Sequence, residues 1–447
     1  MPKRFVLALA ASALLACPGR STGQEVFSRA TITDDLPNGL KIITIPVQPS
    51  KVVSYYTIVR SGSRNEVEPG ASGVARFFEH MMFNGTRRIP RAAYDAFLTR
   101  LGAGTNVIAT DDFTAYGIVF TNPDSLADVI KTEADRVINV ESTEDSIRAE
   151  GRTIEGENFA AVSNPDRRLF EILRAAAFDK HPYRRAAPVS LTDFRDLSRR
   201  HADSLLYKKR FYAPGNTILL IAGDINRDEL LPLVRNYYGG WEASNFTLQA
   251  PAEPPQSRPK RAHIEWPAKT LARLAIAFHG PAYSDKVRDK AALDLLASAA
   301  FSSSSPLHHK LVLEEGACLS LGTNFPNTRD PALFVVTAVI KNDDDIPGVE
   351  DAILKELERL QHELLPARAL AEITSNLKYA MADSLSTTDG MAGTVAFYLG
   401  LTGDPGTIHK LFNLYDKVTA RDIQDMAKKY FRPENATIVT LKGGKAK

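Results

Sequence analysis

The amino-acid sequence predicts an α+β protein made of two homologous α/β sandwich domains, each a sheet covered by helices. Three observations predict this architecture. Two sequence patterns recur in the same order in both halves of the chain, and a proline-rich segment separates the halves. Strands interspersed with long amphipathic helices are typical of a sheet with helices packed on it.

The first recurring pattern is a charged helical stretch, an X-Pro turn and a β-branched strand. It occurs as KRFYAPGNTILLI at residues 209–221 and as KKYFRPENATIVT at residues 428–440. In both copies an asparagine follows two residues after the proline, and the two copies are 219 residues apart. Because proline disfavours a helical residue before it, each copy predicts a turn that leads from a helix into a strand.

The second recurring pattern is a strand followed by a loop and a helix near the start of each half. We predict strands over 52–59 and 271–279, followed by helices over about 73–83 and 286–300. Residues 250–262 are rich in proline and are predicted to form an extended linker. The predicted domains are therefore residues 25–249 and residues 263–447.

The first 24 residues have the pattern of an export signal. A basic start, Lys3-Arg4, precedes an apolar run over residues 5–16 that is too short to span a bilayer. Residues 14–17, LLAC, also resemble a bacterial lipobox, in which the cysteine is lipidated. Plain secretion and lipidation of Cys17 both stay open. Either predicts an exported, periplasmic protein whose membrane contact is at most a lipid anchor.

Composition and charge exclude several classes of protein. The hydrophobic fraction of 44% and the charged fraction of 24% are ordinary for a soluble globular protein. The net charge of +2 gives no reason to expect a nucleic-acid partner. Once Cys17 is removed or lipidated, Cys318 has no intramolecular partner, so the fold cannot depend on a disulfide and cysteines cannot build a zinc site.

One helix carries the residues that suggest chemistry. In residues 73–85, GVARFFEHMMFNG, the side chains of Arg76, Glu79 and His80 are spaced i, i+3 and i+4 and project from one face of the predicted helix. In the inverted zinc motif His-x-x-Glu-His, two histidines bind zinc and the glutamate activates a bound water. Here arginine stands where the first histidine would be. A Glu-His pair alone on a helix is usually a surface feature.

The surrounding residues 75–86, ARFFEHMMFNGT, resemble the pitrilysin/insulinase family of zinc metallopeptidases, which includes the mitochondrial processing peptidases. The resemblance extends over the whole mature chain and implies a two-domain unit that forms half of a clamshell. It implies Glu79 as general base and zinc bound by His80 and by a glutamate that follows after 76 intervening residues, which is Glu157. A supporting glutamate seven positions before that one is Glu150. Seven residues are two helical turns, so both carboxylates project in the same direction.

Two further segments resemble the family. Residues 101–116 are similar to its active-site strand, whose edge pairs with an extended peptide. This resemblance makes Asn106 and Thr110 candidate substrate-binding residues, although the pattern alone fits an ordinary edge strand equally well. Residues 181–183, HPY, resemble a His-Pro-Tyr of the family's first domain, and we interpret His181 as a turn histidine rather than a ligand.

Arg76 is the main departure from the family pattern. Its guanidinium is always protonated and has no lone pair to donate to zinc. At roughly 4 Å and an effective dielectric of about 20, its repulsion from a divalent ion would be about 8 kcal/mol. His80 and Glu157 are two ligands where catalytic zinc sites have three, and none of the other eight histidines has a spacing that suggests a replacement. We predict that Arg76 takes the metal's place and pairs with Glu79 and Glu157.

A second departure lies in the C-terminal half. Family members that bind the substrate backbone there carry an arginine and a tyrosine seven residues apart, and Lys310 and Ala317 occupy those positions here. In two-chain bacterial relatives, one subunit has the zinc motif and the other has the Arg/Tyr pair. The resemblance therefore implies a peptide substrate and either a second family subunit carrying that pair or a homodimer.

The sequence thus predicts a peptidase homologue that binds or acts on peptides and is catalytically impaired by Arg76. Two alternatives stay open. One is an active zinc endopeptidase in which Glu79 is the general base, and the other is a structural module with no role in peptide binding.

Overall fold

The computed structural model describes residues 26, 29–68, 72–141, 143–185 and 197–444. The predicted export signal, with Cys17, lies outside these residues. Among the described helices, none combines the length and the apolar character needed to cross a membrane.

The described residues contain two sheets, with strand orders β1-β2-β6-β3-β5-β4 and β7-β11-β8-β10-β9. The strands are β1 (Ile32–Asp35), β2 (Lys41–Pro46), β3 (Val53–Val59), β4 (Gly104–Ala109), β5 (Thr114–Phe120), β6 (Thr217–Gly223), β7 (Lys260–Trp266), β8 (Ala272–His279), β9 (Cys318–Asn324), β10 (Leu333–Ile340) and β11 (Ala436–Gly443).

The helices surround these sheets, and the short α9 continues into a π-helical turn over His309–Glu314. They are α1 (Val74–Met81), α2 (Arg91–Leu101), α3 (Leu126–Asn139), α4 (Glu144–Val162), α5 (Pro165–Ala177), α6 (Leu197–Phe211), α7 (Arg227–Tyr238), α8 (Asp289–Phe301), α9 (Pro306–His308), α10 (Ile346–His362), α11 (Ala367–Ser384), α12 (Thr388–Thr402), α13 (Thr407–Tyr415) and α14 (Ala420–Tyr430).

The two sheets share one topology. In the first, β6 pairs parallel with β2 and antiparallel with β3. In the second, β11 pairs parallel with β7 and antiparallel with β8. The recurring asparagines also have one role: the amide of Asn216 donates to the carbonyl of Phe211 at 2.9 Å, and that of Asn435 donates to Tyr430 at 2.8 Å. The predicted fold class, two sheets covered by helices, is confirmed.

Three boundaries differ from the predictions. Strand β7 begins at Lys260, inside the segment predicted to be a linker, because this residue already pairs with Thr437 of β11. Helix α1 ends at Met81, two residues before its predicted end. The reason is that the Phe83 amide hydrogen-bonds a carbonyl three residues back, whereas an α-helix would use the carbonyl four residues back. Helix α8 begins three residues after its predicted start. The Ser284 hydroxyl accepts hydrogen bonds from the backbone amides two and three residues further on, and this forms a turn before the helix.

Each half covers part of the other half's sheet. Helix α5 follows α4 in the first half, but its buried Leu169 and Leu173 pack on β8, β10 and β11 of the second sheet. Helix α12 belongs to the second half, but its buried Val395 and Leu399 pack on β3, β5 and β6 of the first sheet. One face of each sheet is therefore buried by a helix from the other half, and the two halves form a single packing unit.

Candidate functional site

Helix α1 is fixed at both ends by buried charges. At its start, the carboxylate of Glu66 accepts bonds from the backbone amides of Gly73 and Ala75, at 2.8 and 2.9 Å. A carboxylate is favoured there because the helix N-terminus carries partial positive charge. Near its end, Arg136 donates to the carbonyl of Met82 at 3.4 Å. The apolar face of α1 packs in the hydrophobic core of the first half, which leaves the face with the predicted site residues directed outward.

Helix α4 lies alongside this face of α1 and brings the two predicted glutamates to it. Nδ1 of His80 is 3.4 Å from Oε2 of Glu150, and Nε2 of His80 is 3.6 Å from Oε2 of Glu157. The two carboxylates, two helical turns apart, thus lie on either side of one imidazole. The structure brings together all the site residues that the sequence predicts on these two helices.

Arg76 lies at the open side of this cluster. Its Nη2 donates to Oε2 of Glu157 at 2.8 Å, and its Nη1 is 3.6 Å from Oε2 of Glu79. Arg76 and Glu157 are 40% and 43% exposed, whereas Glu79 is only 13% exposed. Burial raises the pKa of Glu79, the charges of Arg76 and His80 oppose this effect, and the charge of Glu157 adds to it.

Arg91 is a site residue that the sequence reasoning missed. It is the first residue of α2, and its Nη1 donates to Oε1 of Glu150 at 3.4 Å. Two arginines, Arg76 and Arg91, therefore lie among the three carboxylates of Glu79, Glu150 and Glu157. No local pattern indicates this contact, because Arg91 and Glu150 are 59 residues apart and meet only in the folded protein.

The donor atoms present do not fit the zinc site that the family implies. Arg76 has no lone pair, so His80 and Glu157 are the two family ligands that remain. The Glu157 oxygen nearest to His80 already accepts a bond from Arg76. Within the described part of the chain, no three His, Cys, Asp or Glu side chains are arranged to hold a metal ion.

Among the described residues, strand β4 is one of the two edges of the first sheet, and its end lies across a cavity from α1. Asn106 is exposed in the middle of this strand. The hydroxyl of Thr110 accepts bonds from the amides of Asp112 and Phe113, so it is committed to the turn after β4. A cavity of about 280 Å³ separates the end of β4 from α1, and its lining includes Arg76, Glu79, Ala109, Asp111 and Arg174.

Other residues named from the sequence lie elsewhere. His181 caps a short turn by accepting a bond from the Tyr183 amide at 3.1 Å. Lys310 and Ala317 line a separate cavity of about 610 Å³ in the second half. Cys318 is buried in the hydrophobic core of the second half. Burial raises the pKa of its thiol to about 11, as expected of an inert cysteine.

Comparison with known proteins gives consistent matches. The family model for insulinase, peptidase family M16, matches residues 41–187, and that for the peptidase M16 inactive domain matches residues 201–377. The zinc protease PqqE of Helicobacter pylori is 23% identical over 446 residues, with 96% of this chain and 97% of that protein covered. A probable mitochondrial-processing peptidase subunit beta of Arabidopsis thaliana is 24% identical over 425 residues, with 91% of this chain and 77% of that protein covered.

A solved structure shows the same fold. The crystal structure of a protease from Helicobacter pylori superposes with a TM-score of 0.85 at 23% sequence identity, covering 93% of this chain and all of that one. Together with the two family models, this likeness agrees with the helix pair, the edge strand and the duplicated topology. The chain belongs to the insulinase family of peptidases, M16.

Proposed function

We propose that this protein is a peptide-binding subunit of the M16 family that does not hydrolyse its peptide. The observation that carries the proposal is Arg76, which stands at the first zinc-ligand position and hydrogen-bonds Glu157, the residue at the third. An arginine there both removes a ligand and places a positive charge where a cation would bind.

Electrostatics support this proposal. A guanidinium matches carboxylates in shape and charge, so Arg76 can neutralise Glu79 and Glu157 much as a metal ion would. Arg91 does the same for Glu150 from the other side. The acidic cluster is therefore compensated by the chain itself and needs no metal to offset the repulsion among its carboxylates.

The edge strand supports a role in peptide binding. Strand β4 pairs with β5 on one side, and its other side presents backbone amides and carbonyls that an extended peptide can bind as an added strand. The exposed side chain of Asn106 lies along this edge. The cavity that contains Arg76 and Glu79 lies at the end of β4, where it can accept a peptide side chain.

A partner subunit follows from the second departure. Lys310 and Ala317 replace the Arg/Tyr pair that holds the substrate backbone in the family, so we propose a second family chain that supplies it, or a homodimer. The relative from Arabidopsis thaliana is named a subunit, which is consistent with this proposal. Affinity purification from the native organism followed by mass spectrometry should recover a second M16 chain, and recovery of a monomer alone would contradict it.

The alternative is an active zinc endopeptidase with Glu79 as general base. It is favoured by one observation: Glu79, His80, Glu150 and Glu157 all keep the family spacing and lie together. Under this alternative a metal would have to displace Arg76 from Glu157.

Metal analysis separates the two proposals. We expect purified wild-type protein to contain far less than one zinc per chain after dialysis, with no chelator-sensitive peptidase activity. The Arg76→His variant should bind about one zinc, because three ligands are then present. Arg76→Gln is the matched control, since it removes the charge without adding a ligand, and it should stay zinc-free. Tightly held, stoichiometric zinc in the wild type would refute the impaired site.

We also propose that the protein is exported to the periplasm. The basic and apolar pattern of residues 1–24 supports this. Cell fractionation and mass spectrometry of the mature N-terminus distinguish the two forms of export. A lipid on Cys17, lost in Cys17→Ser, indicates a lipoprotein, whereas an unmodified N-terminus after cleavage indicates secretion. Protein found only in the cytoplasm would contradict both.

A further inference from the structure

The turn that ends strand β4 rests on the second half of the chain. Residues 110–113 join β4 to β5, and residues 325–332 join β9 to β10. The backbone amide of Arg329 donates to Oδ2 of Asp112 at 2.9 Å. The hydroxyl of Tyr183 donates to the other oxygen of Asp112 at 2.6 Å. Asp112 is 1% exposed, so this contact between the halves is shielded from water.

Asp330 lies at the centre of the same contact. Its carboxylate accepts bonds from Nε of Arg64 and from Nε2 of His181, the latter at 3.0 Å. The Nδ1 atom of His181 accepts the bond from the Tyr183 amide, so the ring proton is on Nε2 and is donated to Asp330. One carboxylate from the second half thus holds two buried side chains of the first half, Arg64 and His181.

Arg64 connects Asp330 to the turn after β4. Its backbone amide donates to the carbonyl of Asp111 at 2.8 Å, and its Nε is 3.8 Å from Oδ1 of Asp112. Arg174 of α5 holds the same turn by donating to the Asp111 carboxylate at 2.9 Å. Asp330 therefore reaches the end of β4 through a single intervening residue.

The negative charge of Asp330 balances the positive charge of Arg64 in this contact. Burial alone would raise its pKa, but the bonds from His181 and Arg64 and the Arg64 charge hold the pKa well below the usual range. Without Asp330, the anionic partner left for the buried guanidinium of Arg64 among the described residues would be Asp112, at 3.8 Å. A buried charge with a poor partner is costly, so Arg64 and the turn it holds would move toward another partner or toward water.

We propose that Asp330 is a positioning residue for the peptide-binding edge: through Arg64 and the 110–113 turn, it fixes strand β4 beside α1. The proposal rests on the proposed function in one respect, that β4 binds peptide. It assigns to the C-terminal half, which matches the inactive-domain model, a role in shaping the site of the N-terminal half.

Hydrogen exchange of the free protein tests the positioning directly. In Asp330→Asn, we expect the amides that join β4 to β5 to exchange about tenfold faster, since a charge-assisted buried bond is weakened. The β1–β2 pair, far from the turn, should exchange at the wild-type rate. Asp416→Asn is the matched control, because Asp416 also pairs with a cation, Lys378, at 2.6 Å but lies away from β4. Wild-type exchange rates at β4 in Asp330→Asn would overturn the proposal.

A second variant guards against a general loss of folding. His181→Asn should keep the cap, since Asn122 caps a short 3-10 helix and Asn164 caps helix α5, each directly before a proline. Its shorter side chain, however, should not reach Asp330. It should raise exchange at β4 by a smaller factor. In the Asp330→Asn background it should add less than it does in the wild type, because the shared contact is already weakened. Fully additive effects would show that His181 does not act through Asp330, and they would overturn the part of the proposal that concerns the His181–Asp330 contact.

Peptide binding separates this proposal from the proposed function. With fluorescein-labelled β-casein as an unstructured probe, we expect about tenfold weaker binding by Asp330→Asn, measured well below the melting temperature of both proteins. If the wild type binds no casein, the proposed function fails, and exchange at β4 still decides the positioning role. If exchange rises but affinity does not change, the role of Asp330 in binding is overturned while its effect on the strand stands.

Discussion

Nη2 of Arg76 donates a hydrogen bond of 2.8 Å to Oε2 of Glu157, a residue 81 positions later in the chain. This bond joins α1 to α4 across the positions that hold zinc in the family. It gives the arginine a structural role at the position where we propose that it prevents metal binding.

Arg76→Ala should therefore destabilise the protein. Glu79 and Glu157 would lose their shared cation, but both Arg76 and Glu157 are about 40% exposed, so we expect a loss of only about 1 kcal/mol in the free energy of unfolding. Urea denaturation measures it. Arg87→Ala is the control, because Arg87 makes a comparable 3.0 Å pair with Glu141 but is 89% exposed, and its loss should be near zero. Equal effects of the two variants would contradict a structural role for Arg76.

Glu79→Gln should stabilise the protein at neutral pH. The pKa of Glu79 is raised by burial, so the ionised carboxylate is disfavoured in the folded state, and this cost is present above the folded pKa. As the pH falls through the folded pKa to the ordinary value of 4.5, Glu79 becomes protonated and the cost disappears. The difference between variant and wild type should therefore shrink from pH 7.5 to pH 4.5 in urea midpoints. A variant less stable than the wild type at pH 7.5 would mean that the attraction to Arg76 exceeds the cost of burial.

Gly400→Ala should weaken the packing of α12 on the first sheet. A Cβ at Gly400 would lie 2.3 Å from the buried ring of Phe113, and we expect a net loss of about 1–2 kcal/mol after the gain in helix propensity. Gly393→Ala in the same helix is the matched control. Its nearest neighbour, the Tyr56 hydroxyl, would lie at 3.4 Å, so alanine should be neutral or stabilising by up to about 1 kcal/mol. Thermal unfolding followed by circular dichroism compares them, and equal losses would refute the close contact.

The two recurring asparagines should differ in their contribution to stability. Asn435 is 7% exposed and bonds two carbonyls, those of Tyr430 and His279, at 2.8 and 3.0 Å. Asn216 is half-buried, and its amide bonds the carbonyl of Phe211. We expect Asn435→Ala to cost about 2 kcal/mol and Asn216→Ala about 1 kcal/mol. Chemical denaturation checks the order, and a larger loss at Asn216 would be the contrary result.

The two halves should not fold separately. Without α12, the first sheet would expose the apolar face formed by β3, β5 and β6. Without α5, the second sheet would expose the apolar face of β8 and β11 on which α5 packs. Residues 25–249 expressed alone should be insoluble or unfolded, whereas co-expression with residues 263–447 should give a soluble complex. A cooperative thermal transition of residues 25–249 alone would argue against the exchange of helices as a source of stability.

Much of the fold could be predicted from sequence because the signals are local. The β-branched runs of β3 and β8 and the i, i+3, i+4 spacing on α1 depend on residues a few positions apart. The errors have two origins, one local and one in a distant part of the chain. Helix α1 tightens before its predicted end, and Lys260 joins β7 despite its proline-rich surroundings, because a partner strand 177 residues away supplies the pairing.

The candidate site could be predicted on α1 and α4 because one spacing is helical and the other follows a family resemblance. Arg91 could not, because its contact with Glu150 depends on where the fold places the start of α2 relative to α4. Thr110 was a candidate for substrate binding from its position, yet its hydroxyl bonds the following amides, and a single sequence does not distinguish these two roles.

By itself, the sequence determined the duplicated architecture, because the repeats are encoded in spacing along the chain. It also determined the arginine at a zinc-ligand position and the glutamates that surround it, because these residues stand at positions that a family resemblance identifies. Only the tertiary structure decided which sheet each helix covers, and which second-half residue supports the edge strand. Nothing in the local pattern of α5 or α12 specifies its partner sheet. Apolar burial is non-directional, so the choice depends on the packing of both halves together. The contact of Asp330 with Arg64 and His181 exists because that packing places polar and charged side chains from distant parts of the chain together, where Arg64 and His181 are largely buried.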